Sequence, residues 1–250
     1  MTYCLALRLD MGLVLLSDTR TNAGVDNIGT YRKQHVLKPG PDRVFVIESA
    51  GNLATTQEVL DRIRRDLASP GDHESLASVR HLFEAALYLG RLSREVTLGH
   101  REALDAIGAD GTATFILGGQ VGEDRPDILL IYPEGNYIRA SDELPFLQIG
   151  ETKYGKFLLE LAVTSDVDAV TATKIALASM MSTARANLSV GPPYDLAIYL
   201  SDSFDPEEFR IDAGSPVLVE LEHTWERSLR SGLDELEGVS REELGGGGGT

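Results

Sequence analysis

Several familiar classes are closed to this chain by what it lacks. It has one cysteine, Cys4, so no disulfide can form within the chain and no cysteine-rich metal site can be built. Basic residues are scarce: 23 Lys and Arg stand against 39 Asp and Glu, for a net charge of -16. Such a surface repels phosphate backbones and anionic lipid, which argues against nucleic acid or a membrane as a partner. No apolar run approaches the ~18 residues needed to span a bilayer. The start, Met-Thr-Tyr-Cys-Leu-Ala-Leu-Arg, has no basic segment before an apolar stretch, and Arg8 and Asp10 interrupt it early, so it does not read as a signal peptide. A cytoplasmic location is expected. The five histidines (His35, His73, His81, His100 and His223) share no metal-ligand spacing with a carboxylate. Gly118-Gly119 is not followed by the Lys-Ser/Thr of a phosphate loop. No metal or other cofactor is expected, and no internal repeat is found.

What is present is an ordinary globular composition, 42% hydrophobic over 250 residues, enough for one large core. Apolar runs at Thr2–Leu9 and Leu13–Asp18 around Asp10-Met11-Gly12 read as a β-hairpin. Pairing Leu9 with Leu13 would set Cys4 against Asp18 and Thr2 against Arg20, with Asp18 diagonal to Thr2. Strands are predicted at Lys33–Leu37 and Arg43–Ser49, then helices at Asn52–Ala68 and Ser75–Leu98 from apolar residues at three- and four-residue steps. Strands follow at Thr112–Val121, Asp127–Tyr132, Tyr137–Ala140 and Phe146–Ile149, and helices at Lys153–Val163 and Asp168–Leu188. Strands at Asp195–Ser201 and Val217–Leu221 close the domain. Paired helices between groups of antiparallel strands predict an α+β, four-layer αββα sandwich of two antiparallel sheets. One domain is expected over residues 1–224, followed by an acidic helix and a glycine-rich tail over 225–250.

The chemistry concentrates at the amino end. Methionine aminopeptidases remove Met ahead of a residue as small as threonine. Thr2 would then carry both a hydroxyl and a free α-amine with a pKa near ~8. That amine can take the hydroxyl proton and later return it to a leaving group. Lys33, held by a carboxylate such as Asp18, would lend a positive field to that centre. Ser49-Ala50-Gly51-Asn52 ends a strand and opens a helix, where free N–H groups suit an oxyanion.

Together, Thr2, the Ser17-Asp18-Thr19-Arg20 segment, Lys33 and the Ser49-Ala50-Gly51 turn resemble the proteasome β-subunit pattern. Within it the chain is similar to the Anbu (ancestral β-subunit) family. The similarity rests on the MTYC opening, on Ser17–Asp26 and on Ser49–Gln57, and runs to about residue 220. The resemblance implies the N-terminal-nucleophile hydrolase fold and a threonine-type peptidase that works in a homo-oligomeric ring or spiral. It makes Thr2 the nucleophile, Lys33 and Asp18 its supporting pair, and the Gly51 N–H the oxyanion donor. Backbone at Asn22 and Gly51 would pair with an extended peptide, and Thr21 and Ser49 would flank a small, polar side-chain pocket. The chain departs from the pattern at Gly150-Glu151-Thr152 and at Asn187–Gly191; Ser189 is the candidate to replace a missing serine. An amide hydrolase acting on a small or isopeptide-like substrate, and an assembly scaffold without catalysis, are the alternatives. The resemblance names no ATPase partner.

Overall fold

The structure is a computed structural model, and it describes residues 2–22, 28–69, 71 and 74–236, without the side chains of Asn22 and Ile28. Met1, His73, the 23–26 part of the motif and the glycine-rich end lie outside the described residues. The strands are β1 (Tyr3–Leu9), β2 (Gly12–Asp18), β3 (Arg20–Asn22), β4 (Ile28–Thr30), β5 (Gln34–Gly40), β6 (Arg43–Gly51), β7 (Ala113–Val121), β8 (Asp127–Ile131), β9 (Tyr137–Arg139), β10 (Phe146–Gly150), β11 (Tyr194–Leu200) and β12 (Glu207–Ile211). The helices are α1 (Leu53–Ala68), α2 (Leu82–Ala106), α3 (Lys153–Ala162), α4 (Ala169–Ala186) and α5 (Pro216–Asp234).

Two antiparallel five-stranded sheets form, in the orders β10-β1-β2-β11-β12 and β5-β6-β7-β8-β9, with a separate β3-β4 ribbon. Strand alternation divides the apolar residues between the layers. Cys4 and Ala6 of β1, Leu13 and Leu15 of β2, and Val44, Val46 and Ala50 of β6 fill the seam between the sheets. Phe45 and Ile47 of β6 face the other way, into a core with Val59 and Ile63 of α1 and Leu82, Leu89 and Val96 of α2. On the far side, β1 and β2 carry α4, which pairs with α3. The expected αββα order of layers is therefore present. Each fully buried leucine here contributes about 1.5–3 kcal/mol through area removed from water.

Four sequence expectations change. The β1–β2 turn is two residues, Asp10-Met11, so Leu9 opposes Gly12 and Cys4 opposes Ser17, one residue out from the expected register. Asp18 thus lies on the opposite face from Cys4. The second helix starts at Leu82 rather than Ser75 and ends at Ala106 rather than Leu98. Ser75–Ser78 forms its own side-chain turn, Arg43 holds the Ala77 and Val79 carbonyls, and Arg80 N–H donates to Glu84 Oε2 at 2.7 Å. Val217–Leu221 is not a strand. Ser215 caps a helix with Pro216 at its first position, a start signal that outweighs the Val217/Val219/Leu221 alternation. β3, β4 and β12 are too short or too polar to have been predicted.

The chain divides into two units, Met1–Asp212 and Ala213–Thr250. The second contains α5, tied along its surface by pairs such as Glu226–Arg230 at 3.0 Å. No helix among the described residues is long and apolar enough to cross a membrane.

Candidate active site around Thr2, Asp18 and Lys33

Thr2 is half-buried and immediately precedes β1. Its carbonyl accepts the Glu151 N–H at 2.7 Å. Gly150 makes that approach possible: its φ is +83°, and a Cβ there would lie 2.0 Å from the Thr2 oxygen. Residue 3 is pinned as well. The buried Tyr3 hydroxyl shares a 2.7 Å hydrogen bond with Ser179 of α4 and accepts from the Gln148 side chain. Burial pushes the Tyr3 phenol up to about 12.

Asp18 ends β2 with no exposed surface. Its Oδ1 accepts from Lys33 Nζ at 2.6 Å and from Tyr3 N–H at 3.0 Å; its Oδ2 accepts from Gly191 N–H at 3.3 Å. Burial raises the Asp18 pKa, while the Lys33 ammonium and the two backbone N–H groups pull it back. Lys33 is 5% exposed, and its ammonium also donates to Arg20 O at 2.6 Å. Its own carbonyl accepts the Ser49 N–H at 3.0 Å and the Ser49 hydroxyl at 3.4 Å. The lysine is thus held at both ends, by backbone on β6 and by a carboxylate on β2.

Gly51 ends β6 with φ +112°. A Cβ there would lie 2.4 Å from Thr112 O, just before β7, so the neighbouring backbone already demands glycine at this position. The expectation of several free amides opening α1 is corrected. Asn52 Oδ1 takes the Ala54 and Thr55 N–H groups, and Thr56 N–H bonds Asn52 O. Such a cap satisfies the donors that α1 itself would offer an oxyanion; the Gly51 N–H is not among them.

Thr21 and Asn22 lie on β3, opposite Gly29 and Ile28. Arg20, beside them, donates to the Leu188 and Val190 carbonyls at 2.9 and 3.4 Å, tying the ribbon to the loop after α4. In that loop Ser189 N–H donates to Asn187 Oδ1 at 3.0 Å, and Asn187 Nδ2 donates to Glu151 Oε2 at 2.8 Å. The Ser189 backbone therefore connects to Thr2 through the Asn187 and Glu151 side chains and the Glu151 N–H. Asp18, Lys33, Ser49 and the segment starting at Thr2 converge directly, and Ser189 joins through two intervening residues.

Sequence reasoning missed the Tyr3–Ser179–Gln148 cluster, the Asn187–Glu151 link and the buried Glu48 discussed below. Glu151 and Asn187 left a trace in the two segments that depart from the pattern, and Glu48 left one as a charge inside the apolar run RVFVIES.

Two antiparallel sheets between helix layers, with a threonine leading into the first central strand beside a buried lysine–aspartate pair, define an N-terminal-nucleophile hydrolase fold. Solved structures narrow this. The Anbu protein of Yersinia bercovieri is 40% identical over 96% of this chain and 99% of its own, with a TM-score of 0.88. Anbu from Hyphomicrobium sp. strain MC1 is 41% identical over 96% and 100%, with a TM-score of 0.85. The Pseudomonas aeruginosa Anbu complex, solved as a helical assembly, is 38% identical over 96% and 99%, with a TM-score of 0.89. The chain belongs to the Anbu, or ancestral β-subunit, family. No protein-family model and no curated protein matches it.

Proposed function

We propose that this chain is a threonine-nucleophile hydrolase that cleaves peptide bonds through an acyl-enzyme on Thr2. The observation that carries the proposal is the buried Asp18–Lys33 pair at 2.6 Å, whose carboxylate also holds the backbone of the residue next to Thr2. A buried ion pair adds little to stability compared with apolar packing, so its cost is better explained by chemistry.

With Met1 removed, the Thr2 α-amine takes the proton from Oγ1 as that oxygen bonds to the scissile carbonyl carbon. The Lys33 field favours the anionic oxygen and keeps the amine a free base. The Gly51 N–H faces the developing oxyanion. Collapse breaks the C–N bond, and the proton passes from the α-amine to the leaving amine. Water then adds to the ester, releasing the acid and restoring Thr2. Backbone at Asn22 and Gly51 pairs with the extended substrate, and Thr21 and Ser49 flank a small polar pocket. Ser189 steadies Thr2 through Asn187 and Glu151. The peptide reading is preferred over a small amide because the β3 backbone can lend a strand edge.

Incubation with an electrophilic threonine trap, followed by intact-mass and peptide analysis, tests this. One adduct on Thr2 of a chain lacking Met1 is expected, and an unmodified Thr2 at saturating reagent would overturn the assignment.

The subunit works as a homo-oligomer. The helical assembly of the Pseudomonas aeruginosa relative supports this. So does an apolar stripe on α3, where Tyr154, Phe157 and Leu161 are 42%, 72% and 70% exposed at helical spacing. Light scattering at micromolar concentration should exceed the 27.1 kDa of one chain severalfold.

A further inference from the structure

Glu48 lies near the end of β6 on the face turned toward the other sheet, where the remaining positions are Val44, Val46 and Ala50. It has no exposed surface. Its cross-strand partner on β5 is Gln34, itself 5% exposed. With the Gln34 amide oriented to satisfy both of its ends, its nitrogen donates to Glu48 Oε1 at 3.1 Å and to Leu15 O of β2 at 3.3 Å, so one side chain joins β5, β6 and β2. Glu48 Oε2 has no hydrogen-bond partner among the described residues. A carboxylate left this way in an apolar seam is strongly disfavoured; a carboxylic acid is tolerated. Burial accordingly drives the Glu48 pKa well above the usual carboxylate range.

The groups around it link this acid to the site. Cys4 of β1 feels Glu48, Lys33 and Asp18 together, and Tyr3 also feels Glu48. From β7 the opposing residue is the apolar Ile116. Along the β5–β6 edge, two consecutive rungs fix the lysine: Lys33 O with Ser49 N–H at 3.0 Å, then Gln34 with Glu48.

We propose that Glu48 is a positioning residue for Lys33: a neutral carboxylic acid that locks the start of β5 through Gln34 and keeps a second negative charge away from the lysine. Ionised, it would stand beyond Cys4 as a rival to Asp18 and offset the positive field at Thr2. The catalytic half of this inference rests on the threonine-hydrolase reading; the protonation state and the position of Lys33 do not.

The test uses the full chain, Glu48→Gln and Glu48→Leu. Infrared difference spectra at pH 7, with and without ¹³C-labelled glutamate, should show a protonated carboxyl stretch in the parent that Glu48→Gln lacks; its absence would overturn the neutral state. Crystal structures of both variants read the positioning without any chemistry. Glu48→Gln should keep the Lys33–Asp18 contact, and Glu48→Leu should lengthen it. A pair unmoved in the leucine variant overturns the role. If the parent reacts with the threonine trap, Glu48→Gln should label at the parent rate. Glu48→Leu should label about tenfold more slowly, at unchanged trap affinity, because small displacements of a supporting group cost rate rather than binding. Equal rates in all three would likewise overturn it. A parent that does not react defeats the hydrolase reading alone, since the spectra and structures still decide Glu48.

Discussion

Replacing Lys33 by methionine tests the site's central pair. The substitution keeps the bulk of the stem but leaves the Asp18 carboxylate, which has no exposed surface, with only the Tyr3 and Gly191 N–H groups among the described residues. Breaking one half of a buried pair costs about 3–5 kcal/mol. A ceiling comes from the alternative open to Asp18, which is to take up a proton. With an unfolded pKa of about 3.9, that costs at most ~5.6 kcal/mol at pH 8 and only ~1.5 kcal/mol at pH 5. The sign follows from burial, which already raises the folded-state pKa of Asp18. An acid with a raised folded pKa favours folding at low pH and loses that contribution as pH rises. Removing Lys33 raises the pKa further, so the penalty is full above it and relieved as pH falls through it. Denaturant melts at fixed protein concentration should therefore show Lys33→Met losing about 3–5 kcal/mol at pH 8 and clearly less at pH 5, where the Asp18 share is at most about 1.5 and the lost donor to Arg20 O adds a part that does not vary with pH. Adding Asp18→Asn should remove most of the pH dependence. Equal losses at both pH values, or a loss below about 1 kcal/mol at pH 8, would refute the reasoning.

Thr2→Ala should abolish adduct formation with the electrophilic trap while circular dichroism and assembly stay as in the parent; an adduct that persists would place the nucleophile elsewhere. Gly150→Ala should destabilise by about 1–3 kcal/mol and suppress labelling of Thr2, since the new Cβ meets the Thr2 carbonyl at a backbone angle alanine avoids; thermal melts and labelling check this. His35 is depressed to about 4 by burial, with the Arg64 charge adding to the effect and a backbone hydrogen bond to Arg32 opposing it. Its ring resonances should stay those of neutral imidazole from pH 8 down to pH 5, and titration near 6.5 would contradict its burial. On this account its contribution to stability is present above the unfolded pKa and is lost as pH falls toward about 4. A fluorogenic panel varied at the residue before the cleaved bond should show weak discrimination among small and medium side chains; a preference for Arg or Lys above about a hundredfold would require an acidic group in the pocket.

Much of this was legible along the chain because it depended on local pattern. Alternation in LALRL and LVLLSD, the caps Asn52 and Asp168, and the apolar steps of α1 and α4 each favour one element whatever surrounds them. The order of those elements then admits few packings, so the four layers followed. The pairing of Asp18 with Lys33 was implied by the resemblance to the proteasome β-subunit pattern before any distance was known. The hairpin register was not legible, because a turn shorter by one residue changes every partner while leaving the apolar pattern plausible. Val217–Leu221 read as a strand from its alternation, whereas Ser215 and Pro216 start α5 there. Contacts between residues far apart in sequence belong to tertiary structure alone: Tyr3 with Ser179, Asn187 with Glu151, Gly191 with Asp18. Glu48 marks the boundary most clearly. Its identity as a charged residue in an apolar run is written in the sequence. Whether it faces water, a cation or the seam between two sheets was decided only when β5, β6 and β1 closed around it, because burial is a property of the packed neighbours and not of the residue.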